Sequence, residues 1–335
     1  MKKLLYINNY NCSNKSSEVW PDNHLWGADA LSKVYNVTCA KVPQDFIKFR
    51  FKGSSIINNF LRSLKMLSMY FRYDIVYSAC GELTGAFALA NILHIGKRRL
   101  YKIQHHGGKK IPFAQGYTKI MFISPFVSQQ YVLKNKVNVN WGGQISFAEK
   151  FISTTAKYQY DFVSAGNVAR DNDCMIAAAN TVEGKTLIIS TVNNLCYNKA
   201  KITVLSGNES NRYSTSYNET YAIYAQARFI VVPIVRRIQK TSKCLSGLNS
   251  FVDAVVMHKP VLASDSTNMG IDIEGLGIGM IYKAGDVEDM RNKMQQLLSL
   301  SEKDYKQMCD NMKVYSKTHN YDEFCKEIVD IIEHS

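Results

Sequence analysis

The sequence predicts an α/β protein with two domains, each organised around a parallel β-sheet. Short apolar segments alternate with amphipathic ones, as in βαβ units, and this alternation starts afresh at Tyr160. The 335 residues are 46% hydrophobic, which suits two domains of ordinary size. We therefore place one domain at residues 1–150, a second at 151–315, and a C-terminal helix at 316–335.

The first half supplies the elements of the first predicted sheet. An apolar strand at Lys3–Ile7 precedes a helix at Ala28–Tyr35. Further strands are predicted at Asn36–Val42, Asp74–Ser78, Leu100–Gln104, Lys119–Ile123 and Val137–Trp141. Helices are predicted at Gly81–Leu93 and from Ser124 to about Leu133, with a linker near Phe147–Lys157.

The second half repeats the same order of elements. Its predicted strands are Tyr160–Ala165, Lys185–Ser190, Lys201–Leu205, Ala227–Ile234, Val261–Ser264 and Gly277–Tyr282. Its predicted helices are Asp173–Asn180, Val287–Leu300, Ser301–Lys317 and Tyr321–Glu333. The segment Tyr217–Gln226 suits either a helix or part of a long loop.

The excess of positive charge lies in the first half. The whole chain carries +13; residues 1–150 contain 21 Lys and Arg against 7 Asp and Glu, or +14, and the remainder contains 20 against 21, or −1. Such asymmetry indicates a polyanionic partner for the first domain, either a nucleic acid or an anionic membrane. A nucleic-acid-binding function is the least favoured, because no helix-turn-helix, zinc or RNP motif accompanies the charge.

The segment Phe46–Tyr73 interleaves basic and apolar side chains. Its basic residues are Lys48, Arg50, Lys52, Arg62, Lys65 and Arg72. This composition suits an amphipathic helix lying on an anionic membrane, and it suits equally a surface helix packed on the sheet.

The cysteine pattern and the N-terminal sequence indicate in which cellular compartment the protein works. None of the eight cysteines forms a CxxC pair, and scattered free thiols favour a reducing compartment. No apolar run is long enough to span a bilayer, and the apolar run after Met1 is too short for a signal peptide. We expect a cytoplasmic protein, with peripheral binding to the inner face of the plasma membrane as an option.

The most specific motif lies in Ser242–Asp265. A small polar loop at Ser246–Ser250 leads into an apolar helical stretch with Asp253 near its start. Pro260 ends the helix, and the buried strand Val261–Ser264 follows. Backbone N–H groups at such a helix N-terminus can bind an anion, and an acid beside that anion suits a sugar hydroxyl.

This motif resembles the donor-binding signature of GT-B-fold glycosyltransferases, in particular the large retaining family (family four). The matching residues are the pair Asp253-Ala254 and the run His258-Lys259-Pro260-Val261-Leu262-Ala263-Ser264. That family carries two Glu eight residues apart; the second corresponds to Asp253 and the first to Leu245, which has no carboxylate. The resemblance implies the GT-B fold, in which two Rossmann-like domains face a central cleft and a last helix returns to the first domain.

The resemblance covers Tyr160–Leu300 best and implies a donor site in the second domain. The implied donor-binding residues are Gly166, Asn167, Arg170, Arg236, Arg237, Ser246, Gly247, Asn249, Ser250 and Asp253. Asp253 would bind the ribose, and the arginines would bind the diphosphate, because a guanidinium group contacts two oxygens at once. An alternative for Arg170 is a surface ion pair with Asp171.

Two histidines are the candidate catalytic residues. His105 and His106 follow the predicted strand Leu100–Gln104, and ligands bind at the carboxyl ends of parallel strands. The place resembles the loop of the family that faces the sugar, although a solvated turn is the alternative. Because adjacent residues leaving a strand point to opposite faces, only one of the two should matter, and we favour His106.

The leading interpretation is a hexosyltransferase that moves a sugar from a nucleoside-diphosphate sugar, with UDP as the expected carrier. The acceptor would be a saccharide or a lipid-linked saccharide in cell-surface polysaccharide synthesis, such as O-antigen, capsule or lipopolysaccharide. The family match implies retention, whereas an inverting enzyme would need a base such as His105 or His106, with Asp22 and Glu82 behind them. No DxD-type acidic pair stands where a metal site would need it, so we expect neither metal nor cofactor. The alternative enzyme is a GT-B-fold sugar-nucleotide epimerase or another transferase.

Overall fold

The computed structural model describes most of the chain. The described residues are 1–8, 18–40, 55–79, 83–108, 110–152, 158–190, 197–206, 215–235, 246–267 and 269–335. They form two compact units, and each contains a parallel sheet, as predicted. Within the described ranges, the first unit holds residues 1–8, 22–141 and 322–335, and the second holds 18–21 and 142–321. The boundary between the two units after Trp141 comes earlier in the chain than the predicted domain boundary at residue 150.

The first sheet consists of six described strands, all parallel, in the order β2-β1-β3-β4-β5-β6. The strands are β1 (Lys3–Ile7), β2 (Asn36–Ala40), β3 (Ile75–Ser78), β4 (Arg99–Gln104), β5 (Lys119–Phe122) and β6 (Lys136–Asn138). The chain runs from β1 to β2 on one side and resumes with β3 on the other. The topological switch point, where open α/β sheets bind ligands, therefore lies between β1 and β3.

The helices of the first unit cover the two faces of its sheet. They are α1 (Ala28–Val34), α2 (Ser55–Lys65), α3 (Leu67–Tyr70), α4 (Gly85–Ile92), α5 (Pro125–Gln129) and, numbered by its place in the chain, α12 (Tyr321–Glu333). Phe87 of α4 is fully buried with the strand residues Leu5, Val76 and Leu100. Each such side chain contributes about 1.5–3 kcal/mol on leaving water.

The second sheet has six described strands, again all parallel, in the order β12-β11-β10-β7-β8-β9. They are β7 (Tyr160–Ala165), β8 (Thr186–Ile189), β9 (Ile202–Leu205), β10 (Ala227–Val232), β11 (Val261–Ser264) and β12 (Gly279–Tyr282). The helices are α6 (Ile145–Ile152), α7 (Asn172–Ala179), α8 (Tyr217–Ala225), α9 (Leu248–Val256), α10 (Val287–Leu298) and α11 (Glu302–Ser316). The switch point of this sheet lies between β7 and β10.

Three predicted segments differ from the structure. The predicted linker Phe147–Lys157 overlaps α6, whose Phe147 is buried against Tyr221 at a ring separation of 4.9 Å, while residues 153–157 lie outside the described residues. The helix after Ser124 ends at Gln129 and not near Leu133. The segment Phe46–Tyr73 contains two helices, α2 and α3, and its first part, 46–54, lies outside the described residues.

Candidate functional site

The loop after β7 lies at the switch point of the second sheet. Asp171 donates its backbone N–H to the Pro233 carbonyl at 2.7 Å, and Val235 donates its own to the Ala169 carbonyl at 3.0 Å. These bonds pair the loop with the segment that leaves β10, so the carboxyl ends of both strands are connected. A ligand at the switch point would meet this paired backbone.

Arg170 connects this loop to the first turn of α9. Its Nη2 donates to Ser250 Oγ at 2.7 Å and to the Ala165 carbonyl at 3.0 Å, and Nε donates to the same carbonyl at 3.3 Å. Burial lowers the pKa of the guanidinium, but an arginine remains charged in the physiological range. Nη1 makes only one long contact within the described ranges, to the Val168 carbonyl at 3.5 Å, so it can still donate a hydrogen bond to an anion.

Gly166 makes this position of Arg170 possible. Its φ is +126°, a conformation that strains any other residue, and a Cβ there would lie 2.6 Å from Arg170 Nη2. The predicted alternative of a surface ion pair between Arg170 and Asp171 is wrong. Asp171 instead caps α7, since its Oδ1 accepts the backbone N–H of Cys174 at 3.1 Å.

The polar loop predicted at Ser246–Ser250 is mostly helix. Helix α9 begins at Leu248, so Asn249 and Ser250 belong to its first turn, and Ser250 donates to the Ala165 carbonyl at 2.9 Å. The N-cap is Gly247, with φ +84°, and a Cβ on it would lie 2.4 Å from Val232 Cγ1. A glycine has no side chain to cap the helix, so the first N–H groups of α9 are available to an anion.

Asp253 lies in the second turn of α9 and is only 7% exposed. Tyr221 of α8 donates a hydrogen bond to its Oδ1 at 2.6 Å. Burial raises the pKa of the carboxyl to about 7, and the Tyr221 hydrogen bond opposes part of that rise. Burial, together with the nearby Asp253 charge, also raises the pKa of Tyr221. The carboxyl group therefore gains or loses its proton near neutral pH.

Two tyrosines of this region were missed from the sequence. Tyr221 is placed by α8, which begins with a capping box between Ser216 and Glu219, and that Ser-x-x-Glu pattern could have identified the helix. Tyr282 ends β12 at the same sheet edge, and its buried hydroxyl has no hydrogen-bond partner in the described part of the chain. Burial raises the pKa of Tyr282, and the charges of Asp171, Asp265 and Arg170 lie near it.

Four predicted donor residues remain, and the structure describes two of them. Asn167 is exposed on the loop after β7, and Ser246 is buried just before α9. Arg236 and Arg237 lie outside the described residues. Lys259 of the matching motif does not face the site, because its Nζ donates to the Ala225 and Ala227 carbonyls at 2.9 and 2.8 Å beside the start of β10.

The two histidines follow β4 in the first unit and differ in their surroundings. His105 Nε2 donates to the Ala79 carbonyl at 2.7 Å, and its ring lies edge-on to Trp26 with a centroid separation of 4.4 Å. The His106 side chain is exposed, and its carbonyl accepts from Gln104 and Tyr131. The expected opposite orientation of adjacent residues is consistent with these contacts.

Among the described residues, no group of three or more His, Cys, Asp or Glu side chains could hold a metal ion. None of the helices described is both long and apolar enough to cross a membrane.

The chain resembles solved structures over its whole length. Neither a protein-family model nor a curated protein sequence matches it. A sucrose-phosphate synthase from Thermosynechococcus elongatus is 12% identical with a TM-score of 0.69, covering 99% of this chain and 98% of that one. HepE from Anabaena, solved with UDP-glucose, is 11% identical with a TM-score of 0.66, covering 100% of both chains. A glycosyltransferase from Rickettsia africae ESF-5 is 12% identical with a TM-score of 0.64, covering 100% and 99%. With its two parallel six-stranded sheets, the chain therefore has the GT-B fold of these proteins.

Proposed function

We propose that the protein is a glycosyltransferase that takes its sugar from a nucleoside-diphosphate sugar. The observation that carries this proposal is the arrangement at the switch point of the second sheet. There Arg170 joins the loop after β7 to the first turn of α9, and the buried acid Asp253 lies one turn further along that helix. A fixed cation, free helix N–H groups and a carboxyl group match a diphosphate and a hydroxylated sugar.

The donor would bind along this edge. Gly166 and Gly247 let the backbone approach the diphosphate closely, with Asn167 and Asn249 beside them and Ser246 and Ser250 supporting the turn. Asp253 would accept hydrogen bonds from the ribose, and Arg236 and Arg237 would add positive charge. As the diphosphate leaves, its growing charge would be stabilised by Arg170 and the amino end of α9, which requires no metal ion.

We propose UDP as the carrier because HepE, which shares this fold, was solved with UDP-glucose. We also propose that the acceptor is a saccharide or lipid-linked saccharide of the cell surface, that the anomeric configuration is retained, and that the protein works at the cytoplasmic face of a membrane. The positive charge of residues 1–150 supports an anionic surface as partner.

The proposal is tested first by binding and then by product analysis. UDP-glucose and other UDP-sugars should raise the melting temperature, since a ligand that binds only the folded chain stabilises it. Product analysis with and without a saccharide acceptor then identifies the reaction. Transfer that requires the acceptor supports a glycosyltransferase, whereas conversion of the donor into an epimer without acceptor would contradict it. No stabilisation by any nucleotide sugar would refute the donor site.

We expect replacement of His106 to lower turnover and replacement of His105 to lower stability. If His106 accepts the acceptor proton, His106→Ala should reduce turnover by about 10²–10⁴-fold. We favour a hydrogen bond to the transferred sugar, for which the loss is smaller and partly in donor affinity. His105→Ala instead removes the bond to Ala79 and the Trp26 contact, so its melting temperature should fall most.

The measurement is turnover, donor affinity and melting temperature for both variants. Full turnover in His106→Ala would exclude this residue from the reaction. If His105→Ala lost turnover while keeping its melting temperature, the roles of the two histidines would be reversed.

A further inference from the structure

The first unit exposes an apolar patch where two turns meet at the amino edge of its sheet. One turn follows α3 and contains Phe71; Ile92 is the last residue of α4, and the turn after it contains Leu93 and Ile95. Their exposed fractions are 37%, 38%, 57% and 53% respectively. We call these four residues the amino-edge patch. Single exposed apolar side chains are common, but four together are the mark of an interaction surface.

The two turns are in contact and form one surface. Gly96 lies against the Phe71 ring, since a Cβ on the glycine would be 2.9 Å from Cδ1 of that ring. Arg98, just beyond the second turn, donates from Nη2 to the Phe71 carbonyl at 3.1 Å. Chain segments separated by more than twenty residues thus present their apolar side chains at one place.

The patch is held in position by a buried amide. Asn91 is 6% exposed; its Nδ2 donates to the Arg98 and Gly116 carbonyls at 2.9 and 2.7 Å, and its Oδ1 accepts the Arg98 N–H at 2.9 Å. Tyr70 of α3 donates to the same oxygen. At His94 the chain takes φ +58°, a left-handed conformation that is uncommon outside glycine. Leu93 and Ile95 therefore stay in water because the backbone is fixed, and little ordering would be required on binding.

The two chain segments that carry the patch are rich in basic residues. Residues 65–79 and 88–99 contain five basic side chains and one acid, Asp74. The basic side chains are Lys65, Arg72, Lys97, Arg98 and Arg99. Arg72 and Lys97 are exposed, and an apolar patch with such cations in the same segments complements an anionic lipid surface, where the apolar side chains enter the acyl boundary and the cations meet the headgroup phosphates.

We propose that the amino-edge patch inserts into an anionic membrane and is the membrane anchor of the first unit. This goes beyond transfer of a sugar and rests on the membrane location proposed above, for which it names the surface. It differs from the assignment of Phe46–Tyr73 from the sequence, because Ile92, Leu93 and Ile95 lie at or just after the end of α4. Helix α2 also exposes Ile57 and Leu64, at 46% and 42%, and it is the competing surface within the same unit.

The test is co-sedimentation of the full chain with vesicles, measured without nucleotide sugar so that it stands apart from the transferase assay. The vesicles are phosphatidylcholine with or without phosphatidylglycerol. The wild type should bind the anionic vesicles at low salt, and the double variant Leu93→Ser/Ile95→Ser should bind at least about tenfold more weakly. Arg72→Gln and Lys97→Gln should each weaken binding about fivefold, an effect that high salt removes.

The controls use apolar residues elsewhere that are more exposed than those of the patch. Val132→Ser in the first unit and Val314→Ser on α11 should bind vesicles like the wild type. Absence of wild-type binding would overturn the proposal. So would a loss confined to Ile57→Ser/Leu64→Ser, which would assign the anchor to α2. Light scattering completes the test, because a dimer that Leu93→Ser/Ile95→Ser dissociates, with vesicle binding unchanged, would show that a second copy covers the patch.

Discussion

The variant Arg170→Ala is expected to bind the nucleotide sugar at least about tenfold more weakly than the wild type. Arg170 is the cation that the structure holds at the switch point of the second sheet, through Ser250 and the Ala165 carbonyl. A hydrogen bond to a charged group contributes about 1.5–3 kcal/mol, which corresponds to about ten- to a hundredfold in affinity. Calorimetric titration with a UDP-sugar gives the dissociation constant.

Two matched variants separate charge from position. Arg228→Ala removes an arginine at the start of β10, where it pairs with Asp161 at 3.5 Å, and it should leave donor affinity unchanged. Ser250→Ala keeps the Arg170 charge but removes one anchor, so its effect should be smaller than that of Arg170→Ala. Each titration is made below the melting temperature of the variant. An Arg170→Ala protein that binds donor within twofold of the wild type would place the diphosphate elsewhere.

For Asp253→Asn we expect opposite effects on stability and on donor binding. The folded chain holds the Asp253 proton up to a pKa of about 7, whereas an unfolded aspartate releases it near about 3.9. The wild type therefore loses stability as the pH rises from about 4 to 7, by up to about 4 kcal/mol. Since Asp253→Asn cannot ionise, it should be more stable than the wild type at pH 8 and similar at pH 4.

For donor binding we expect the opposite: at pH 8 the wild type should bind the donor more tightly than Asp253→Asn. The ionised carboxylate accepts hydrogen bonds from sugar hydroxyls more strongly than the acid, so wild-type affinity should rise as the pH passes about 7. A nucleoside-diphosphate sugar has no group that titrates between pH 6 and 8, so the dependence would come from the protein. In Asp253→Asn the affinity should be lower at pH 8 and independent of pH.

Two further variants serve as controls for the pH profiles. Tyr221→Phe removes the hydrogen bond that opposes the raised pKa of Asp253, so the rise in donor affinity should move to higher pH. Asp310→Asn, an exposed carboxyl on α11, should change neither profile. A flat wild-type profile, or equal donor affinity of Asp253→Asn and wild type at pH 8, would exclude Asp253 from the donor site.

Much of the architecture could be predicted from local patterns. The two sheets were predicted because strands buried on both faces are short continuous apolar runs, such as Val261–Ser264. The helix bearing Asp253 was predicted because an apolar stretch lies between the polar loop at Ser246–Ser250 and Pro260, although the helix begins earlier, at Leu248. The ends of helices and strands were predicted less accurately where the local pattern is ambiguous. Phe147 was assigned to a linker, although it belongs to α6 and is buried against Tyr221.

The hydrogen-bond partners of the site residues could not be predicted from local patterns. Arg170 and Asp171 are adjacent in the sequence and suggested an ion pair, yet one side chain binds Ser250 and the other caps α7. The partner of Arg170 is Ser250, 80 positions further along the chain, and a pattern of neighbouring residues cannot indicate such a contact. The two histidines show the same limit, because the partner of His105 is the carbonyl of Ala79, which directly follows the neighbouring strand β3.

The sequence by itself determined the α/β class, the two parallel sheets and the presence of a helix between the polar loop at Ser246–Ser250 and Pro260. Periodicity, glycines and prolines act over a few residues, so these features are local. The tertiary structure alone decided that Arg170 is anchored, that Asp253 titrates near neutral pH, and that the Phe71 ring lies against Gly96 in one exposed patch. Burial and charge proximity arise only when distant segments pack together, and they set both the pKa of a carboxyl group and the surface that the protein presents.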